Sequence, residues 1–159
     1  MIVMSVDPGQ HGALAVISEG KLWAEPLAFV DGEVDIPETT RLIHSWLPEN
    51  PVCYIEKAFG MKGQGVVSTF NYGTGYGVIR GILGCLGIRT ILVPPQRWMK
   101  VLHYGIPRDI DAKRRSLMAF EQIFPGFDAT APGGRTPHTG IVDAGLIAEY
   151  GRRMMADLK

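Results

Sequence analysis

The sequence predicts an α/β fold, a mixed five-stranded sheet flanked by helices, and three observations predict it. The chain opens on a continuous apolar run, IVMSVD (2–7), which is what a central strand covered on both faces requires. Two more strand-like segments follow at once, with reversals too short to hold a helix. After them helical and strand patterns alternate, and that alternation is the signature of helices packed on a sheet.

The elements follow in order. PGQHG turns the chain into ALAVIS (13–18), and EGK reverses it into LWAEPLAF (22–29), so the opening reads as an antiparallel meander. Ile36, Leu42, Ile43, Trp46 and Leu47 recur at roughly helical spacing over 36–48, with Pro37 near the start and Pro48 at the end. VCYIE (52–56) is a fourth strand, stopping at a glutamate. Residues 63–87 are rich in glycine and aromatics, and a helix is expected there from about Thr69, its small residues allowing close backbone approach. IRTILVP (88–94) is the fifth strand, and PPQRWMKVL (94–102) begins a helix with prolines where a helix tolerates them. DAKRRSLMAFEQIF (111–124) has Asp111 as its N-cap and Leu117, Phe120 and Phe124 on an apolar face. A Pro/Gly-rich loop (125–140) leads to a closing helix, IVDAGLIAEYGRRMMADL (141–158), with Arg152, Arg153 and Lys159 near its end as dipole partners.

With 159 residues, no internal repeat and no composition break, residues 1–159 are expected to form one domain. No apolar run approaches the ~20 residues of a membrane span, and no signal-peptide pattern opens the chain, so no membrane partner is expected. Cys53 and Cys85 lack metal-ligand spacing and read as buried free thiols. That usage fits a reducing compartment: the cytoplasm of a bacterium or phage-infected cell, or an organelle after transit-peptide removal. Net charge is zero, yet the second part is basic: from residue 97 onward ten Lys/Arg face seven Asp/Glu, against six and nine before it. Arg97, Lys100, Arg108, Lys113, Arg114 and Arg115 cluster, so the charge balance excludes no nucleic-acid partner.

Asp7 ends the first strand, Glu56 ends the fourth, and Asp143 falls in the first turn of the last helix. If the first and fourth strands are neighbours, two of these carboxylates meet at one sheet end and a helix across the sheet brings the third. Such a set suits Mg²⁺, which takes hard oxygen ligands and keeps several waters. Each residue alone has a plainer reading: an Asp before Pro-Gly forms turns, a Glu after a strand is an exposed terminus, an early helical Asp complements the dipole. Asp143 weighs against that reading, because it interrupts an apolar run, IVDAGLIA, where an uncoordinated carboxylate is costly to bury.

The motifs SVDPGQHGALAVI, YIEKAF and IVDAGLIAEYG together resemble RuvC-type Holliday-junction resolvases of the ribonuclease H-like superfamily. The stretch KGQGVVSTFNYGTGYGVIRGIL followed by VPPQRWMKVL looks closest to the chloroplast and bacteriophage branches. The resemblance implies a structure-selective endonuclease that cuts four-way DNA junctions. Asp7, Glu56 and Asp143 would hold two Mg²⁺, with Mn²⁺ as substitute, and a homodimer formed through the glycine-rich helix would carry two sites. Phe59 would stack on bases at the junction centre; Lys100 and Lys113 match basic residues that contact the phosphate backbone. Lys62, Arg97 and Arg114 join them as candidate DNA contacts. The family's fourth ligand is an Asp or His three residues before the final Asp, or a His four before it; here those positions are Gly140 and Thr139. His138, five before Asp143, is the candidate for that role as ligand or general base, or else a solvent-facing loop residue.

Other readings stay open at this level. DPGQHGALAV also resembles the phosphate-binding turn of actin-like ATPases, whose second phosphate loop and adenosine pocket this length cannot supply. His11 reads as a turn residue. Trp98 and Tyr104 either stack on bases or, for Trp98, belong to the core. Phe59 either reaches DNA or packs beneath its loop. A ribonuclease H-like nuclease without junction preference and an inert DNA-structure-binding module are the alternatives to a resolvase.

Overall fold

A computed structural model describes residues 2–57 and 65–157; Phe59, Met61 and Lys62 lie outside the described residues, as does Lys159. Five strands form one sheet: β1 (Val3–Asp7), β2 (Ala13–Ser18), β3 (Lys21–Pro26), β6 (Val52–Glu56) and β7 (Arg89–Val93), in the order β3-β2-β1-β6-β7. The first three are antiparallel, whereas β6 runs parallel to both β1 and β7. The expected five-stranded mixed sheet, with its opening meander and adjacent first and fourth long strands, is therefore present. Between β3 and the first helix the chain adds a two-residue hairpin, β4 (Phe29–Val30) and β5 (Glu33–Val34), that the apolar pattern did not announce.

Among the described residues five helices cover the sheet: α1 (Ile36–His44), α2 (Val66–Cys85), α3 (Pro95–Leu102), α4 (Ala112–Ile123) and α5 (Thr139–Ala156). Strand residues alternate in direction, and they divide the core in two. Met4, Val6, Leu14, Val16, Cys53 and Ile55 face one side, where they pack with Leu42, Ile43, Ile79 and Leu83 of α1 and α2. Val3, Ala13, Ala15, Ile17 and Tyr54 face the other, with Trp98, Phe120, Ile141, Ala144 and Leu146 of α3, α4 and α5.

α2 starts at Val66 rather than at about Thr69 and β3 ends at Pro26 rather than at 29, and two further boundaries differ from expectation for local reasons. The first helix ends at His44 rather than at 48, because Ser45 returns its hydroxyl to the Leu42 carbonyl; a 3₁₀ turn (Leu47–Glu49) follows and closes on a left-handed Asn50. The last helix starts two residues early, capped by the ring of His138. Asp143 is thereby its fifth residue, two residues deeper than the sequence suggests. Asp111 is the N-cap of α4 as expected, accepting from the Arg114 amide at 3.1 Å. Cys53 is buried, but Cys85 is exposed, since it ends α2 on that helix's outer side. Arg152 and Arg153 do more than complement a dipole: both bond the buried Glu149, at 2.6 to 2.8 Å.

The closeness of α5 to the sheet is set by small residues. Ala13 and Ala15 of β2 face it without bulk, and the Ser5 hydroxyl of β1 donates to the Ala144 carbonyl at 2.5 Å, bolting strand to helix next to Asp143. A Cβ on Gly145 would lie 2.5 Å from the Phe120 ring. Gly145→Ala is expected to cost about 1–3 kcal/mol, the range for overpacking a filled core. Chemical denaturation of the two proteins checks it; equal midpoints would show that α4 yields freely.

Candidate active site

Period-two alternation explains how the carboxylates meet. β1 and β6 are parallel with Val6 level with Ile55, so Asp7 and Glu56 are the next residues along at the same strand ends. Val6 and Ile55 face α1 and α2, so the residues after them turn to the opposite side, toward α5. Adjacent strands lie about 4.8 Å apart, close enough for the two side chains to share one corner. Asp143 approaches that corner from α5. All three are half-buried.

Their titration shows that they feel one another. Burial, then the charge of Asp143, push the Asp7 carboxyl up from 3.8 to about 8; Glu56 adds to the rise and a bond from the Gly9 amide at 3.0 Å opposes it. Burial lifts Asp143 to about 6 against the pull of the Ser116 hydroxyl and the Lys113 ammonium. Glu56 is raised by burial and by Asp143, while its bond from Trp98 lowers it. Asp143 Oδ1 is buried without a hydrogen-bond partner among the described residues. Mutually repelling, desolvated carboxylates with an orphaned oxygen are a donor set suited to hard divalent cations. Among the described residues no three His, Cys, Asp or Glu side chains stand close enough to enclose one ion.

Neutral donors surround the acids. The Trp98 indole, fully buried, donates from Nε1 to Glu56 Oε2 at 2.8 Å, so the core reading of Trp98 holds and its N–H has a partner. His103 stands edge-on to Trp98, ring centroids 5.6 Å apart, and its Nε2 lies 3.2 Å from the Ser116 hydroxyl. Tyr72 of α2 is pushed up to about 12 by burial and by the charges of Glu56 and Asp7, so its phenol stays protonated beside them. His103, Ser116 and Tyr72 were missed in the sequence. His103 and Ser116 sit in no motif, and nothing in the glycine-rich stretch singles out Tyr72; only α3 and α4 folding over the strand ends, and α2 leaning in, brings them there.

Lys113 and Arg114 lie at the start of α4 and, with Ser116, Thr139 and Asp143, line a cavity of about 330 Å³ beside the carboxylates. Arg97 and Lys100 are exposed on α3, opposite the buried Trp98 and Leu102, and do not line that cavity. Tyr104 is exposed. His138 serves as the N-cap of α5, its Nδ1 accepting from the Ile141 amide at 3.3 Å. Burial, and then the neighbouring His11, hold the His138 ring below the usual imidazole range; the two ring centroids are 6.4 Å apart. At Gly140 a Cβ would come within 1.8 Å of the His11 carbonyl, so no side chain, ligand or otherwise, fits at that position without moving the turn after β1.

Two structural likenesses bear on this arrangement. Thermus thermophilus RuvC in complex with a Holliday junction substrate is similar over 98% of this chain and 96% of its own, at 18% identity and a TM-score of 0.69. A second structure of T. thermophilus RuvC is similar over 98% and 97%, at 17% identity and a TM-score of 0.59. This chain has the RuvC fold. No family model matches the sequence, and no curated protein matches it. That likeness agrees with the mixed five-stranded sheet expected from the order of elements and with the ribonuclease H-like fold that the resemblance implies.

The raised carboxyls make stability depend on pH. A folded-state pKa above the unfolded value means that the folded form holds the proton more tightly, so stability is fullest below about pH 4 at this site and is lost as pH rises toward about 8. Metal-free protein is expected to melt several degrees lower at pH 8 than at pH 5, and Asp7→Asn to remove most of that difference. Melting curves with a chelator present test it; an unchanged slope in Asp7→Asn would mean that Asp7 is ionised without penalty.

Proposed function

We propose that this protein is a structure-selective DNA endonuclease that resolves four-way junctions by divalent-metal-dependent phosphodiester hydrolysis. The observation that carries the reading is the convergence of Asp7, Glu56 and Asp143, half-buried and mutually destabilised, at one end of a sheet with the RuvC fold. Lys113 offsets part of the charge of this cluster, yet a buried Asp143 oxygen has no hydrogen-bond partner among the described residues.

Asp7, Glu56 and Asp143 would hold two Mg²⁺, or Mn²⁺ in their place. When bound, such ions supply Lewis-acid activation of water and charge neutralisation at the departing oxygen. The remaining work belongs to the chain. Lys113 and Arg114, on the cavity beside Asp143, bind the phosphate backbone and set the scissile group against the acids. Arg97 and Lys100, on the exposed side of α3, hold an adjoining stretch of duplex. The Tyr72 phenol stays protonated and offers a hydrogen bond to a phosphate oxygen. Phe59 and Lys62 follow Glu56 closely in sequence, and Phe59 replaces stacking lost at an opened crossover, worth roughly 1–3 kcal/mol per base. His138 uses Nδ1 as a helix cap, so a role as ligand or base falls to its Nε2.

Resolution needs two coordinated cuts, hence a homodimer. Its support is the outer side of α2, where Gly73, Gly77, Gly81 and Gly84 leave open space and Val66, Val67 and Phe70 are exposed at 86, 73 and 71%. Residues four apart share a helix face, and small ones let a second helix approach closely.

The test is incubation with a labelled four-way junction, matched duplex and an RNA–DNA hybrid, with and without Mg²⁺. Paired nicks in the junction alone support a resolvase; preferential cutting of the hybrid would favour a ribonuclease H-like activity instead. Asp7→Asn, Glu56→Gln and Asp143→Asn are each expected to lower cleavage by a factor of about 100 or more while junction binding survives. Full cleavage by any two would remove the site. Lys113→Ala and Arg114→Ala are expected to weaken binding to every DNA and to flatten the logarithmic salt dependence by about one unit per lost contact. Titrating binding from low to moderate salt checks this, and an unchanged slope would leave that face merely solvated.

A further inference from the structure

A run of buried neutral groups leads from Glu56, which one of them bonds, to the cavity wall that Asp143 shares. The Trp98 Nε1–H reaches Glu56 Oε2 at 2.8 Å. The same indole packs against the His103 ring, and His103 Nε2 meets the Ser116 hydroxyl at 3.2 Å. Ser116 shares the wall of the 330 Å³ cavity with Asp143 and draws that carboxyl down. Trp98, His103 and Ser116 are 0, 7 and 4% exposed, so none of them is positioned to touch DNA.

We propose that Trp98, His103 and Ser116 are a positioning relay that fixes how Glu56 and Asp143 present their oxygens to a divalent cation, an inference that rests on the reading of these acids as ligands. Chemistry favours neutral donors in this place. A Lys or Arg bonded to either acid would neutralise it and compete with the cation, whereas an indole N–H or a hydroxyl orients a carboxylate and leaves its charge available. The polarity along the relay follows from its members. For Ser116 to donate toward Asp143, its oxygen must accept from His103, so His103 is neutral with the proton on Nε2. Burial and the nearby Arg115 charge favour that neutral ring, and its Nδ1 is then an acceptor, buried and unpartnered among the described residues. Asp143 Oδ1 is buried without a hydrogen-bond partner among the described residues.

The relay also explains a feature of α3 and α4 that core packing alone leaves open. Apolar side chains at both sites would avoid carrying polar atoms into a core; here the Trp98 N–H is directed at Glu56 and the Ser116 hydroxyl oxygen at His103.

The experiment is Mn²⁺ binding to the full-length protein, read from the free-ion electron paramagnetic resonance signal, alongside junction binding in chelator. Trp98→Phe, Ser116→Ala and His103→Leu are each expected to weaken Mn²⁺ binding about tenfold or more with junction binding unchanged, while His103→Gln, which keeps a donor near the Nε2 position, stays close to wild type. Ser116→Ala removes a single atom, so it decides the matter even if Trp98→Phe does not fold. Wild-type Mn²⁺ affinity in folded Ser116→Ala and His103→Leu overturns the relay, even if their melting temperatures fall. A wild-type protein that binds no Mn²⁺ overturns the reading of the acids as ligands, and the relay with it.

Discussion

The closeness of α5 to the first two strands is the constraint on which everything else in this molecule depends. Helix and sheet meet without bulk: Ala13 and Ala15 on the strand side, Gly140, Ala144, Gly145 and Ala148 on the helix side, with the Ser5 hydroxyl fastened to the Ala144 carbonyl. Larger side chains would lift the helix and carry Asp143 away from the strand ends. The same closeness leaves no room for a side chain at Gly140, where the turn after β1 presses its His11 carbonyl onto the helix start. Packing and chemistry are thus one requirement at this end of α5.

Bringing three acids together has an energetic consequence. Each carboxylate loses water, and the charges of Asp143 and Glu56 raise the cost of ionising Asp7, so Asp7 favours its protonated form near neutral pH. The fold tolerates this because the rest of the core is well filled, with Trp98, Phe120, Leu146 and Ile147 at 1% exposure or less. Local destabilisation against a well-packed scaffold is a common property of sites that act on charged ligands.

The basic residues are arranged in two tiers. Lys113 and Arg114 stand on the cavity wall beside Asp143, and Arg97 and Lys100 stand apart on the exposed side of α3. Zero net charge conceals this arrangement, because the acids that balance the sum are partly those of the site. Local field, not total charge, governs attraction of a polyanion.

Much of this was legible in the sequence, and the part that was not has a common cause. Continuous apolar runs announced β1, β2, β6 and β7, and the N-cap of α4 was readable from Asp111, because strand burial and helix capping are written in neighbouring residues. The three acids were readable because each stands at an element end or interrupts an apolar run. The β4–β5 hairpin escaped, being two residues a side. The start of α5 was misjudged because a histidine ring, rather than one of the usual small polar residues, caps it. Exposure of Cys85 and the partners of Glu149 depend on which side of a helix meets solvent. Trp98, His103, Ser116 and Tyr72 gather around the acids from three helices far apart in the chain. Local pattern determined the elements and the identity of the acids; only the packing of α2, α3 and α4 over the strand ends decided their neighbours, because a hydrogen bond between residues 42 apart leaves no trace in local periodicity.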